Sequence, residues 1–315
     1  MGDVPRCKWA NAHHLLATRA HRHFPQPHTI TPANRAKVVD INRLPCKIQD
    51  SLFWWETSMK FAVSGKGGVG KTMLTAGLAR AFAAKQKSVI AIDADPDTHL
   101  AGAIGVPNTE KIVPLAQMRE LIRERTEAGP EGYGVFFKLN PHVSDIPEKF
   151  FTSHKGVKVL TLGGIRKGGA GCHCPENVFL KTLLNHLILA RDEVVIVDME
   201  AGIEHLGRAT VKGIDALIVV VEPGQQSIQT ALRVKQLAQD IGITKIFVVA
   251  NKITEASQVE IIRSGLGDME IIGHIEYDSC VQASDMEGRA AYDNCPRLVE
   301  RIKTIEETLQ KKLIA

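Results

Sequence analysis

The sequence predicts an α/β protein: a doubly wound, mainly parallel sheet with helices on both faces. Three observations lead there. Short, near-continuous apolar runs alternate with helix-length segments, as strands buried on both faces do when crossover helices join them. A glycine-rich loop stands between the first of these runs and the helix that follows. Polar residues able to bind ligands, Asp93, Asp198 and Asn251, close or follow three of the runs, at the strand ends where open α/β sheets place their sites.

The elements follow in order. Residues 59–63 read as the first strand, and 72–85 as a helix directly after the glycine-rich loop. A strand over 88–92 ends in Asp93-Ala94-Asp95-Pro96-Asp97. The stretch 107–155 is irregular, with one helix near 115–125 and turn-rich segments at Gly129-Pro130-Glu131-Gly132 and Asn140-Pro141. A strand over 157–162 leads into a glycine-rich loop over 163–171. A helix over 175–190 opens with Pro175 at its first position, where the missing N–H would be unpaired anyway. Strands over 193–198, 215–221, 245–250 and 269–275 follow, with helices between them. Leu298, Ile302, Ile305, Leu309 and Leu313 then recur at helical spacing, predicting a docking helix over 297–313.

The first 58 residues differ in kind. They hold all three tryptophans and eight basic against four acidic residues, so the net charge of +4 belongs to this extension. The remainder is balanced, which removes any charge argument for nucleic acid. The extension has no apolar signal core and no clean period of 2 or 3.6. Residues 1–58 are expected to be a disordered or non-native arm, and 59–315 one α/β domain starting at Met59. No run of 18 apolar residues occurs, and the terminal helix has neither a basic face nor an exposed aromatic, so no membrane partner is expected. The six cysteines form no secreted framework; reduced thiols in the cytoplasm are expected.

Chemistry concentrates in Gly65-Lys66-Gly67-Gly68-Val69-Gly70-Lys71-Thr72, which matches G-x-x-x-x-G-K-[ST]. Glycines let backbone N–H groups turn in on phosphates, and the helix that follows points its positive end at the same place. Lys71 is expected to reach the β- and γ-phosphates, and the Thr72 hydroxyl to bind Mg²⁺. An ordinary loop of this kind needs no lysine at Lys66. The pattern K-G-G-x-G-K-T resembles the deviant Walker A loop of the P-loop superfamily that includes the nitrogenase iron protein, the Min-system ATPase and the chromosome-partition ATPases. The resemblance implies that Lys66 reaches across a homodimer to the nucleotide in the facing subunit, tying hydrolysis to dimerisation. It also implies that Asp95 orients the attacking water, with Asp93 and Asp97 as rivals.

Three further motifs complete the reading. Asp198 opens D-x-x-x-G through Gly202: an acid near Mg²⁺, then a glycine whose N–H contacts the γ-phosphate. Asn251-Lys252 supplies an amide suited to a purine edge, and Thr254 replaces the acid of a guanine reader, favouring ATP. Cys172-His173-Cys174 presents two thiolates suited to Zn²⁺, Ni²⁺, Cu(I) or an iron–sulfur cluster, and a two-fold axis doubles them to four. The segment Gly168–Asn177, together with Asp198 to Leu206, resembles the CooC-type accessory ATPases of carbon monoxide dehydrogenase. That likeness runs from Met59 nearly to the C-terminus and departs at His173, where relatives often carry an aromatic. It implies an ATP-driven homodimer with Cys172 and Cys174 binding nickel or zinc at the interface. The client would be carbon monoxide dehydrogenase or acetyl-CoA synthase, with no nucleic-acid or membrane partner. An electron donor like the nitrogenase iron protein, or a spatial organiser acting on membrane or DNA, is the alternative.

Overall fold

In the computed structural model, the described residues are 58–129, 136–163, 175–201 and 213–314, all within the compact unit that begins at Ser58. Eight strands form one sheet in the order β3-β4-β2-β5-β1-β6-β7-β8. They are β1 (Lys60–Gly65), β2 (Val89–Asp93), β3 (Thr152–His154), β4 (Val157–Thr161), β5 (Val194–Asp198), β6 (Ala216–Val221), β7 (Ile246–Ile253) and β8 (Glu270–Glu276). Every pairing is parallel except β3 with β4. The expected α/β class and mainly parallel sheet are therefore present.

Period-2 alternation divides the sheet residues between two cores. Ala62, Ile92, Val197 and Val219 face one side, where they pack with Phe179, Leu183 and Leu187 of helix α5 (Pro175–Ala190). Phe61, Val63, Ile196 and Ile218 face the other, against helix α1 (Lys71–Ala84) and the terminal helix. The remaining α-helices among the described residues are α2 (Leu100–Ile104), α3 (Arg119–Thr126), α4 (Ile146–Phe150), α6 (Gln225–Ile241), α7 (Ala256–Leu266), α8 (Ser279–Met286), α9 (Ala291–Asn294) and α10 (Pro296–Ile314). The stripe read from the sequence docks α10: Leu298, Ile302, Ile305 and Leu309 are buried against α1 and β8. A Cβ on Gly77 would come within 2.9 Å of Ile302, so α1 and α10 are in close contact there.

Two features depart from the sequence reading. The irregular stretch ends in an edge strand, β3, that turns back on β4 through Lys155 and Gly156, both at positive φ. This is the tight hairpin geometry of two left-handed central residues. Three residues without alternation give a strand no periodic signature. The second departure concerns redox state: Cys280 and Cys295 are joined as a disulfide, where reduced thiols were expected. The folded chain brings together two cysteines fifteen residues apart, at the start of α8 and just before α10.

Candidate nucleotide site

β1 lies at the centre of the site, between β5 and β6, and its carboxyl end becomes the phosphate loop. The loop starts tight against β6, since a Cβ on Gly65 would fall 2.5 Å from the Val220 carbonyl oxygen. Gly70 precedes α1 at φ 95°, and a Cβ there would meet Asn251 Nδ2 at 2.3 Å. Both positions exclude a side chain, by close approach and by a positive φ, 149° at Gly65 and 95° at Gly70. The first turn of α1 has no acidic side chain or side-chain cap, leaving its amide end free for an anion. Lys71 is largely buried, and its Nζ donates to the Lys66 carbonyl at 3.4 Å, curling over the loop.

Asn251 and Lys252 lie within β7 rather than after it. Buried Asn251 donates from Nδ2 to the Val69 carbonyl at 2.7 Å, and Lys252 Nζ donates to the Gly68 carbonyl at 2.7 Å. The asparagine thus braces the loop, while its oxygen retains acceptor capacity. Lys66 sits on the outer side, its Nζ 3.4 Å from Glu222 Oε1.

The acids at the strand ends divide by environment. Asp93 and Asp198 face each other in register on β2 and β5. Burial pushes Asp198 up to about 6, although the Thr72 hydroxyl and the Lys71 ammonium pull it down. Its Oδ1 accepts from Thr75 Oγ1 at 3.3 Å, while its buried Oδ2 has no hydrogen-bond partner. An orphaned carboxylate oxygen beside a threonine hydroxyl fits a hard divalent cation such as the Mg²⁺ that accompanies a nucleoside triphosphate.

Asp93 is pushed up to about 7, chiefly by burial. Its Oδ2 accepts from the Leu100 N–H at 2.9 Å and its Oδ1 from the Asp95 N–H at 3.3 Å. Both side-chain oxygens hold the loop, so Asp93 acts as its organiser. Asp95 is only partly buried, and its Oδ1 accepts from the Asp97 N–H at 3.0 Å. Asp97 is exposed. The Asp93 carbonyl also accepts from Leu162 and Gly163, at 2.9 and 3.2 Å, where the chain leaves β4 toward the cysteine pair.

Cys172, His173, Cys174 and Gly202 lie outside the described residues. Among the described residues, no three or more His, Cys, Asp or Glu side chains converge as a metal site. Likewise, no described helix is long and apolar enough to cross a membrane. The sequence reading missed Thr75, Glu222 and Lys252. Glu222 had a signal available: it is an acid just past an apolar strand, as Asp198 is at the end of one.

Residues 60–291 match the CobQ/CobB/MinD/ParA nucleotide binding domain. The chain belongs to that family. It is 44% identical to the carbon monoxide dehydrogenase accessory protein CooC of Rhodospirillum rubrum, over 81% of this chain and 97% of the relative. It is 45% identical to an ATP-binding protein of Methanocaldococcus jannaschii, over 73% of this chain and 90% of that one. Among solved structures, the MinC:MinD cell division complex of Aquifex aeolicus aligns with a TM-score of 0.59 at 22% identity. That alignment covers 81% of this chain and 96% of that one, a likeness of fold. Within the CobQ/CobB/MinD/ParA family, the chain is a deviant Walker A ATPase of the CooC type.

Proposed function

We propose that this CooC-type ATPase is a maturation factor supporting nickel insertion into the metallocluster of carbon monoxide dehydrogenase, or of the related acetyl-CoA synthase. The observation that carries the reading is the 44% identity to CooC across 97% of that protein. Gly65, Gly67, Gly68, Val69 and Gly70 supply backbone donors to ATP, Lys71 compensates the β- and γ-phosphate charge, and Asn251 faces the base. Thr72 and Asp198 hold Mg²⁺, which polarises the γ-phosphate when bound. Asp95 orients the attacking water. Gly202 contacts the γ-phosphate, and Lys66 reaches the nucleotide of the second subunit in a homodimer.

Nickel is the cargo, held by Cys172 and Cys174 from each of two subunits. Coupling between the sites has a candidate carrier in Asp93. Its side chain accepts from the Asp95 and Leu100 N–H groups and its carbonyl from those of Leu162 and Gly163, so one residue touches both the Asp95 loop and the end of β4. The test is native mass spectrometry with metal analysis. One Zn²⁺ or Ni²⁺ per dimer is expected, because tetrahedral thiolate coordination needs four donors and each chain brings two. The double variant Cys172→Ser, Cys174→Ser should lose the metal and still bind ATP. Unchanged metal content in that variant would reject the cysteine site.

A further inference from the structure

We infer that Glu222 is a positioning residue that parks Lys66 in the single subunit, so that dimer closure has to break this ion pair. The inference deepens the reading above and rests on Lys66 acting across the dimer.

The geometry is specific. Glu222 follows β6 directly, and its N–H donates to the Oγ of buried Ser227 at 3.1 Å. Pro223 comes next, which restricts Glu222 to extended backbone, so the side chain leaves from a fixed point. From there the carboxylate spans two cations. Oε1 lies 3.4 Å from Lys66 Nζ and Oε2 lies 3.1 Å from Lys252 Nζ. Lys252 is itself held, donating to the Gly68 carbonyl at 2.7 Å from a left-handed backbone with φ 59°. Lysine adopts that conformation rarely, and here it places the ammonium over the loop.

Glu222 therefore bridges a lysine fixed on the loop and the lysine that distinguishes this class of loop. With its carboxylate in place, Lys66 is paired within its own subunit and drawn toward the β6 side. Reaching a phosphate in a second subunit exchanges the Glu222 anion for the phosphate anion. The pair is partly exposed, with side-chain exposures of 37% and 24%, so its loss shifts the closing equilibrium modestly. A partly exposed pair corresponds to a factor of about two to five.

Two measurements on the full chain test this. Lys66 labelling by an amine-reactive ester, read by mass spectrometry without nucleotide, reports parking directly, with exposed Lys181 as reference. Turnover against protein concentration at saturating Mg²⁺–ATP reports closure, and saturation removes any direct effect of Glu222 on nucleotide affinity. Glu222→Gln should raise Lys66 labelling severalfold and, because closure breaks one pair in each of two subunits, lower the half-saturating protein concentration by about four- to twenty-fivefold. Glu222→Asp, which keeps the charge, should fall between Glu222→Gln and wild type in both. Thermal melting of each variant checks the fold. Unchanged Lys66 labelling in Glu222→Gln, or a half-saturating concentration that stays or rises, overturns the inference. If wild-type turnover does not depend on protein concentration, the dimer reading fails, while labelling still decides whether Lys66 is parked.

Discussion

Replacing Asp198 with Asn should stabilise the nucleotide-free protein and disable it. Burial raises this carboxyl to about 6 from an ordinary 3.8, so its ionised form is disfavoured in the fold. Two units correspond to about 3 kcal/mol of wild-type stability lost once the group ionises. The sign is that of a raised acid: stability is full below 3.8 and declines as pH rises through about 6. Asn removes that cost but places an NH₂ where Oδ2 has no partner, which returns about 1–3 kcal/mol. A net gain of about 1 kcal/mol at pH 8 corresponds to a melting temperature about 2–4 °C higher for a unit of this size. At pH 5, between 3.8 and about 6, roughly half of that cost remains, about the size of the NH₂ penalty, so the gain should vanish. Added Mg²⁺–ATP at about 100 times its Kd should stabilise the wild type by about 2.7 kcal/mol and the variant by far less. Differential scanning fluorimetry at both pH values, with and without Mg²⁺–ATP, reads all of this. A variant less stable than wild type at pH 8, or one that keeps the full Mg²⁺–ATP shift, would refute the assignment of a buried acid waiting for a cation.

Lys71→Ala should abolish ATP binding or turnover, because backbone amides alone leave the β/γ charge poorly compensated; near-normal hydrolysis would remove the phosphate-loop assignment. Lys66→Ala should largely retain ATP binding in calorimetry and lose ATP-dependent dimerisation and hydrolysis; normal behaviour in both would end the cross-dimer role. Ile302→Ala should cost about 2–5 kcal/mol in urea unfolding, since the side chain is fully buried between α1 and α10. A cost below 1 kcal/mol would show that α10 is not docked there.

The fold was legible wherever periodicity was strong. Strands buried on both faces read as unbroken apolar runs, and the α10 stripe repeats for four turns, so both announced themselves. β3 did not, because a three-residue edge strand has too few positions to alternate. The placing of the glycine-rich loop after β1 and of Asp198 at the end of β5 was legible because both motifs join fixed residue types to an apolar strand. The division of labour among Asp93, Asp95 and Asp97 was not, since burial and backbone N–H partners, absent from sequence, decide which acid organises the loop. Glu222 and Lys252 escaped for a similar reason: an ion pair between residues thirty positions apart depends on strand order. The Cys280–Cys295 pairing likewise depends on how α8 packs against the α9–α10 corner.

The most direct test of the central claim is the nickel content of carbon monoxide dehydrogenase co-expressed with this chain under limiting nickel. The account predicts near-complete loading with the wild-type chain. Loading should fall to the level without it for Lys71→Ala and for the Cys172→Ser, Cys174→Ser double variant, with all three chains present in equal amounts. Equal nickel loading of the client by the wild type and both variants would contradict it.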